Sequence, residues 1–98
     1  EFAMAMDVKA AVDRAKNQIQ LLFGDEEIRN LGLEEVAYDD VQAVWRVTIG
    51  FSRPWDEPKN ALAAIAGQNM YSRRTYKVVT IDEDTSNVIS IKTLDVKA

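Results

Sequence analysis

The chain contains neither cysteine nor histidine among its 98 residues. The lack of cysteine excludes disulfides and thiolate chemistry, and the lack of histidine removes the commonest general base and metal ligand. Glycine and proline number only four and two, which excludes a collagen-like fibre. No apolar run approaches the roughly 18 residues that a membrane-spanning helix needs. We therefore expect a non-catalytic domain with no cofactor, no metal and no membrane partner.

The rest of the composition is typical of one globular domain. Hydrophobic residues make up 47% and charged residues 29% of the chain, and its length suits a single core. Residues 1–5 resemble a cloning remnant, which leaves residues 6–98 as a single domain. No secretory signal is visible, so we expect a cytoplasmic protein, although a removed signal peptide would leave the same trace.

Residues 7–23 carry the clearest helix pattern. Apolar residues recur every three or four positions, which predicts one apolar stripe on an otherwise polar helix. The members of this stripe are Val8, Ala11, Val12, Ala15, Ile19, Leu22 and Phe23. Asp7 is placed to cap the first turn, and Gly24 is placed to end the helix in the left-handed conformation. The stripe needs a sheet or another helix to cover it.

Residues 41–51 carry the clearest strand pattern, because apolar residues occupy every second position. The members of this row are Val41, Ala43, Trp45, Val47, Ile49 and Phe51. Six apolar residues at period two predict one sheet face turned toward the core, with Trp45 inside it. Burial of this row against the helix stripe is the main driving force for folding that the sequence indicates.

Three weaker strand patterns accompany this row. They cover residues 31–39, 71–82 and 88–95 and are separated by turn-forming residues. Residues 59–66 suit a short second helix between the second and third strands, with a long loop as the alternative. The order predicts an α+β fold in which the N-terminal helix packs on a four-stranded antiparallel sheet.

The order of elements and several short segments resemble known families. One long N-terminal helix before four antiparallel strands resembles the cystatin-like architecture, and residues 76–91 are similar to the close of a PepSY-type repeat. The whole chain resembles a group of small bacterial proteins with landmarks at residues 45–51 (WRVTIGF), 53–55 (RPW) and 74–77 (RTYK). That group implies no activity, and a shared fold alone does not imply one.

The cystatin resemblance does not extend to the inhibitory motif. Cystatins block papain-like proteases with a Gln-x-Val-x-Gly hairpin. Here Gln42-Ala43-Val44 begins such a motif, but Arg46 stands where the glycine is required. The resemblance therefore implies a fold and not protease inhibition.

Acidic clusters are interpreted as turn and surface residues. Asp82, Asp84 and Ser86 match the first three ligands of a calcium loop, but Asn87 and Thr93 stand where that loop needs glycine and glutamate. A hairpin turn is the simpler interpretation. Neighbouring carboxylates elsewhere lie in predicted turns or strand ends without apolar surroundings, so we expect no acid–base pair.

A basic segment provides the candidate site. Residues 53–81 carry a net charge of +3, whereas the whole chain carries −4. Arg73 and Lys77 share one face of an extended strand, and Arg53 and Lys92 join them if their strands are neighbours. The candidate partner-binding residues are Arg53, Trp55, Arg73, Arg74, Tyr76, Lys77 and Lys92. The alternative is a solvated sheet face with cross-strand pairs.

Two functions fit these features. The first is a non-catalytic interaction module that binds a protein or peptide partner, or a second copy as a homodimer. The alternative is a small-molecule domain, with or without weak enzymatic activity, whose pocket is lined by Tyr71, Tyr76, Trp45 and Arg74. Trp55 serves either as an exposed anchor or as a lid on the core. The acidic net charge argues against nucleic acid as a partner.

Overall fold

The computed structural model of the chain describes residues 6–54 and 74–95. Within them the chain forms one α-helix, one short 3-10 helix and four strands. These are α1 (Val8–Phe23), a short 3-10 helix (Gly24–Glu26), β1 (Arg29–Asp39), β2 (Val44–Ser52), β3 (Thr75–Asp82) and β4 (Val88–Thr93). The strands make one antiparallel sheet in the order β1-β2-β3-β4, and α1 packs on it. The predicted α+β architecture is confirmed, while the second helix predicted over residues 59–66 lies outside the described residues.

Helix α1 begins as its sequence predicts. The Asp7 side chain accepts a hydrogen bond of 2.8 Å from the backbone N–H of Ala10, which satisfies one of the unpaired donors of the first turn. Ala11, Ala15 and Ile19 are fully buried against the sheet. Within residues 6–54 and 74–95, no helix has the length and apolar character needed to cross a bilayer.

The apolar stripe of α1 is wider than the surface that covers it. Val8 and Leu22, which the pattern placed in the stripe, are each about half exposed. The expected left-handed end at Gly24 is wrong, because Gly24 has φ −60° and starts the 3-10 helix. The left-handed residue is Glu27, with φ 57°, after this extra turn.

Strand β2 is the centre of the core. Val47, Ile49 and Phe51 are fully buried beneath α1, and Trp45 packs beside them. We call the side of the sheet that carries these residues the helix-covered face. The alternate residues of β2, such as Thr48 and Gly50, lie on the opposite face.

The first two members of the predicted apolar row do not belong to β2. Val41 is 89% exposed and Ala43 has φ 56°, so both lie in the turn before the strand. The Asp39 carboxylate accepts hydrogen bonds from the backbone N–H groups of Val41 and Gln42. This side-chain bonding fixes a turn where the alternating pattern predicted a strand.

Strand β1 contains a bulge that its sequence pattern does not show. Leu33 pairs with Ile49 and Glu35 pairs with Thr48, so one extra residue, Glu34, is inserted in β1. Residues on either side of the bulge, Leu33 and Val36, both lie on the helix-covered face although they are three positions apart. Among the described strands, β1 pairs only with β2 and forms one edge of the sheet.

Strands β3 and β4 complete the sheet. Val79 and Ile81 of β3 are fully buried, and Val88 and Ile91 of β4 are half-buried against the core. Strand β4 is shorter than predicted, since it ends at Thr93, and β3 starts at Thr75, while residues 71–73 of its predicted range lie outside the described residues. The Arg14 side chain of α1 donates a hydrogen bond of 3.0 Å to the backbone oxygen of Ser86, which ties the helix to the β3–β4 turn.

Replacing one core isoleucine tests this packing. Ile49 is fully buried and Ile89 is 57% exposed. We expect Ile49→Ala to lower the free energy of unfolding by about 2–5 kcal/mol, because it removes buried methyl groups and leaves a cavity. Ile89→Ala should cost less than about 1 kcal/mol. Urea denaturation measures both, and equal losses would contradict the assignment of β2 to the core.

Candidate functional site

Arg53 closes one end of the helix-covered face. Its Nε lies 3.0 Å from Glu26 Oε1, and both atoms are buried. Its guanidinium carbon lies 5.3 Å from the centroid of the Phe23 ring and 5.4 Å from that of Phe51. Both distances are within the range of cation–π attraction. Arg53 is thus held by a carboxylate and two aromatic rings of its own fold.

Lys77 of β3 lies in the same region. Its Nζ lies 5.3 Å from the centroid of the Phe23 ring and donates a hydrogen bond of 2.8 Å to Thr93 Oγ1. Burial of the ammonium group, followed by the positive charge of Arg53, lowers the pKa of Lys77 below its usual value, whereas Glu26 acts in the opposite direction. We call this group the cation cluster; its members are Phe23, Glu26, Phe51, Arg53, Lys77 and Thr93.

Arg74 and Tyr76 lie on the opposite face, beside Gly50. Arg74 Nη2 donates a hydrogen bond of 3.1 Å to Glu34 Oε2. A Cβ atom at position 50 would come within 2.6 Å of that carboxylate oxygen, 2.8 Å of Arg74 Nη2 and 3.1 Å of the Tyr76 ring. Because Gly50 has no side chain, Glu34 of β1 and Arg74, which precedes β3, can form an ion pair across β2.

The seven predicted site residues do not form one patch. Lys77 pairs with Thr93, whereas Lys92 pairs with Val78, so Lys77 and Lys92 lie on opposite faces of the sheet. The expectation that Lys92 joins Lys77 is wrong. The residue opposite Lys77 is Thr93, and Lys92, one position earlier in β4, points to the other face because neighbouring strand residues point in opposite directions. Arg53 does join Lys77. Trp55 and Arg73 lie outside the described residues.

The predicted pocket is also divided between the two faces. Trp45 lies on the helix-covered face, where its Nε1 donates a hydrogen bond of 3.0 Å to Glu83 Oε1 and its ring lies 4.9 Å from that of Tyr38. Burial, followed by the charge of Glu83, raises the pKa of the Tyr38 hydroxyl. Tyr76 and Arg74 lie on the other side of the sheet and cannot line the same pocket, and Tyr71 lies outside the described residues.

The carboxylates of the turns have structural partners. The Asp39 carboxylate accepts a hydrogen bond of 2.8 Å from Arg46 Nη1. This hydrogen bond, followed by the one from the Gln42 backbone N–H, lowers the pKa of Asp39. Asp82 accepts the backbone N–H groups of Asp84 and Thr85 within the β3–β4 turn, which lowers the Asp82 pKa. Within residues 6–54 and 74–95, no group of three or more acidic side chains is arranged to hold a metal.

An apolar groove between α1 and β1 is a feature that the sequence analysis missed. Its volume is about 380 Å³. The floor and walls are formed by Val8, Val12, Leu33 and Val36, and the helix flank adds Lys9, Asp13 and Lys16. We call this feature the α1–β1 groove. The helix stripe contained half of the apolar lining, and the bulge in β1 places the other half, Leu33 and Val36, on the same face of the sheet.

No protein-family model, no curated protein and no solved structure matches this chain.

Neutral substitutions at the partners of Lys77 test the cation cluster. We expect Arg53→Gln to raise the pKa of Lys77 toward its usual 10.5, because a nearby positive charge is removed, and Glu26→Gln to lower it further. Side-chain NMR titration measures both shifts. Lys9, whose pKa is raised chiefly by its hydrogen bond to Asp13, is the internal control and should respond to neither substitution.

The same pKa has a consequence for stability. The folded state binds the Lys77 proton more weakly than the unfolded chain, so this residue's contribution to the unfolding free energy should rise with pH between the folded pKa and 10.5. The difference in stability between the wild type and Lys77→Met, followed across that interval, isolates this contribution. A difference that is flat or falls with rising pH would contradict the burial of Lys77.

Proposed function

We propose that this domain is a non-catalytic interaction module that binds an extended segment of a protein or peptide partner in the α1–β1 groove. One observation carries the proposal: the apolar groove runs beside β1, a strand that pairs on only one side among the described strands. An edge strand presents a row of backbone donors and acceptors to which another strand can be added. The groove would receive the side chains of that added strand.

The surface of the groove supports this proposal. Leu33 is 43% exposed and Val8 is 49% exposed, so two large apolar side chains of the lining are accessible to solvent. Exposed apolar residues grouped in a concave surface are typical of sites that bind another chain. Backbone pairing along β1 would supply affinity, and the groove would select the side chains.

The cation cluster is the weaker candidate for a binding surface. Arg53 and Lys77 already contact Glu26, Thr93 and the Phe23 ring, and Arg74 is paired with Glu34 across β2. A partner would have to replace these contacts before it gained any of its own. We therefore place the cluster among the groups that stabilise the fold.

A small-molecule ligand is the second candidate, because about 380 Å³ falls within the usual size of ligand pockets. Such pockets normally combine an apolar wall with a few converging polar groups. In the groove the charged groups all lie on the helix flank, and two of them, Lys9 and Asp13, pair with each other at 2.9 Å. This arrangement favours an apolar strand over a polar metabolite.

Matched leucine substitutions test the groove. The probe is a synthetic nine-residue peptide in which valine alternates with threonine, an extended sequence with one apolar face. We expect Leu33→Glu to weaken peptide binding by about tenfold or more, because a charge would be placed in the apolar contact. Leu21→Glu, at a position 75% exposed and outside the groove lining, should leave binding unchanged. Fluorescence anisotropy of labelled peptide measures the affinity.

Changes in the NMR chemical shifts of the protein's backbone amides on addition of the peptide locate the bound peptide. Shifts along β1 and at Val8 and Val12 would support strand addition beside the groove. Shifts confined to β3 and β4, or equal binding by both leucine variants, would overturn the assignment of the site. Homodimer formation stays a separate prediction, which light scattering of the wild type tests.

A further inference from the structure

We infer that the partner segment is an extended strand in which apolar residues, facing the α1–β1 groove, alternate with basic residues that face Glu35. This inference rests on the proposed function and adds the chemistry of the partner. It is carried by the different character of the two sides of β1 at the bulge: Leu33 and Val36 line the groove, whereas Glu34 and Glu35 lie on the opposite side.

The bulge in β1 separates these two sides. Leu33 and Val36 line the groove, whereas Glu35 pairs with Thr48 and so lies on the opposite face. A strand added beside β1 would run about 4.8 Å away, with its side chains directed alternately to the two faces. Residues directly opposite one another would then have Cβ atoms roughly 5 Å apart, close enough for charges to attract or repel.

Glu35 is the acidic group that a partner could reach. The neighbouring carboxylate of Glu34 is already paired with Arg74 at 3.1 Å. Glu35 is exposed, and the described residues provide no ion-pair partner for it. The next residue on the same face is Ala37, whose small side chain leaves space for a long one from a partner. A lysine or arginine fits this position.

The charges on the groove side determine which alternate residues of the partner strand face the groove. Lys9 and Asp13 neutralise each other, and Lys16 leaves one positive charge on the flank of α1. A basic residue directed into the groove would therefore meet both apolar surface and a like charge. Of the two ways in which an alternating strand could lie on β1, only one places its apolar residues inward and its basic residues opposite Glu35.

A second copy of β1 fits the edge less well. Two copies of β1 paired antiparallel about the bulge would bring Glu34 and Glu35 of one copy next to the same residues of the other. Like charges directly opposite each other destabilise a strand pair. The complementary charge must therefore come from a segment other than β1.

A pair of charge-matched peptides tests the inference. Both have the alternating valine and threonine sequence, with lysine in place of the two central threonines in one and glutamate in the other. We expect the wild type to bind the lysine peptide roughly threefold to tenfold more tightly, as one or two exposed charge pairs would give. Glu35→Lys should reverse this preference. Asp95→Lys, which makes the same charge change at an exposed position after β4, should preserve it.

The outcomes separate this inference from the function on which it rests. A preference for lysine that Glu35→Lys inverts, and that 0.5 M salt reduces, would support it. Equal binding of the two peptides would overturn the inference and leave the groove as the site. Binding of neither peptide at millimolar concentration would overturn both. A wild-type dimer that Leu33→Glu dissociates would show that a second copy occupies the edge and would also overturn the inference.

Discussion

The contact between the middle of α1 and the inner row of β2 determines the rest of this structure. Ala11 and Ala15 are fully buried against the sheet, and their small side chains allow the helix backbone to lie close to it. Val47, Ile49 and Phe51 fill the space beneath them. Because the helix lies chiefly over β2 and β1, its flank extends along the sheet edge and forms the α1–β1 groove. The candidate site is therefore a direct consequence of how the core packs.

The positive charges near the end of α1 illustrate how a basic segment can belong to the fold. Arg53 and Lys77 both lie over the Phe23 ring, and Glu26 supplies the opposing charge. The Arg53 guanidinium and the Lys77 ammonium each lie 5.3 Å from the centroid of that ring, within the range of cation–π attraction. A local excess of positive charge in the sequence indicates where cations are. It does not show whether their partners are inside the chain or outside it.

The features that local chemistry controls could be predicted from the sequence. Asp7 caps α1 because its carboxylate can reach a backbone N–H three residues away. The alternation from Trp45 to Phe51 identified β2, and the order of elements gave the antiparallel meander. The pattern failed at Val41, where hydrogen bonds to the Asp39 carboxylate outweigh alternation. Local side-chain bonding of this kind competes with a strand and is invisible to periodicity.

The sequence by itself determined the α+β class, the position of the helix and the strand at the centre of the core, because these depend on periodicity and capping within short segments. Only the tertiary structure decided the bulge at Glu34, the opposite placement of Lys77 and Lys92, and the groove. Each depends on the register between strands that are distant in sequence. A shift of one residue exchanges the two faces of a strand, so register determines which side chains meet.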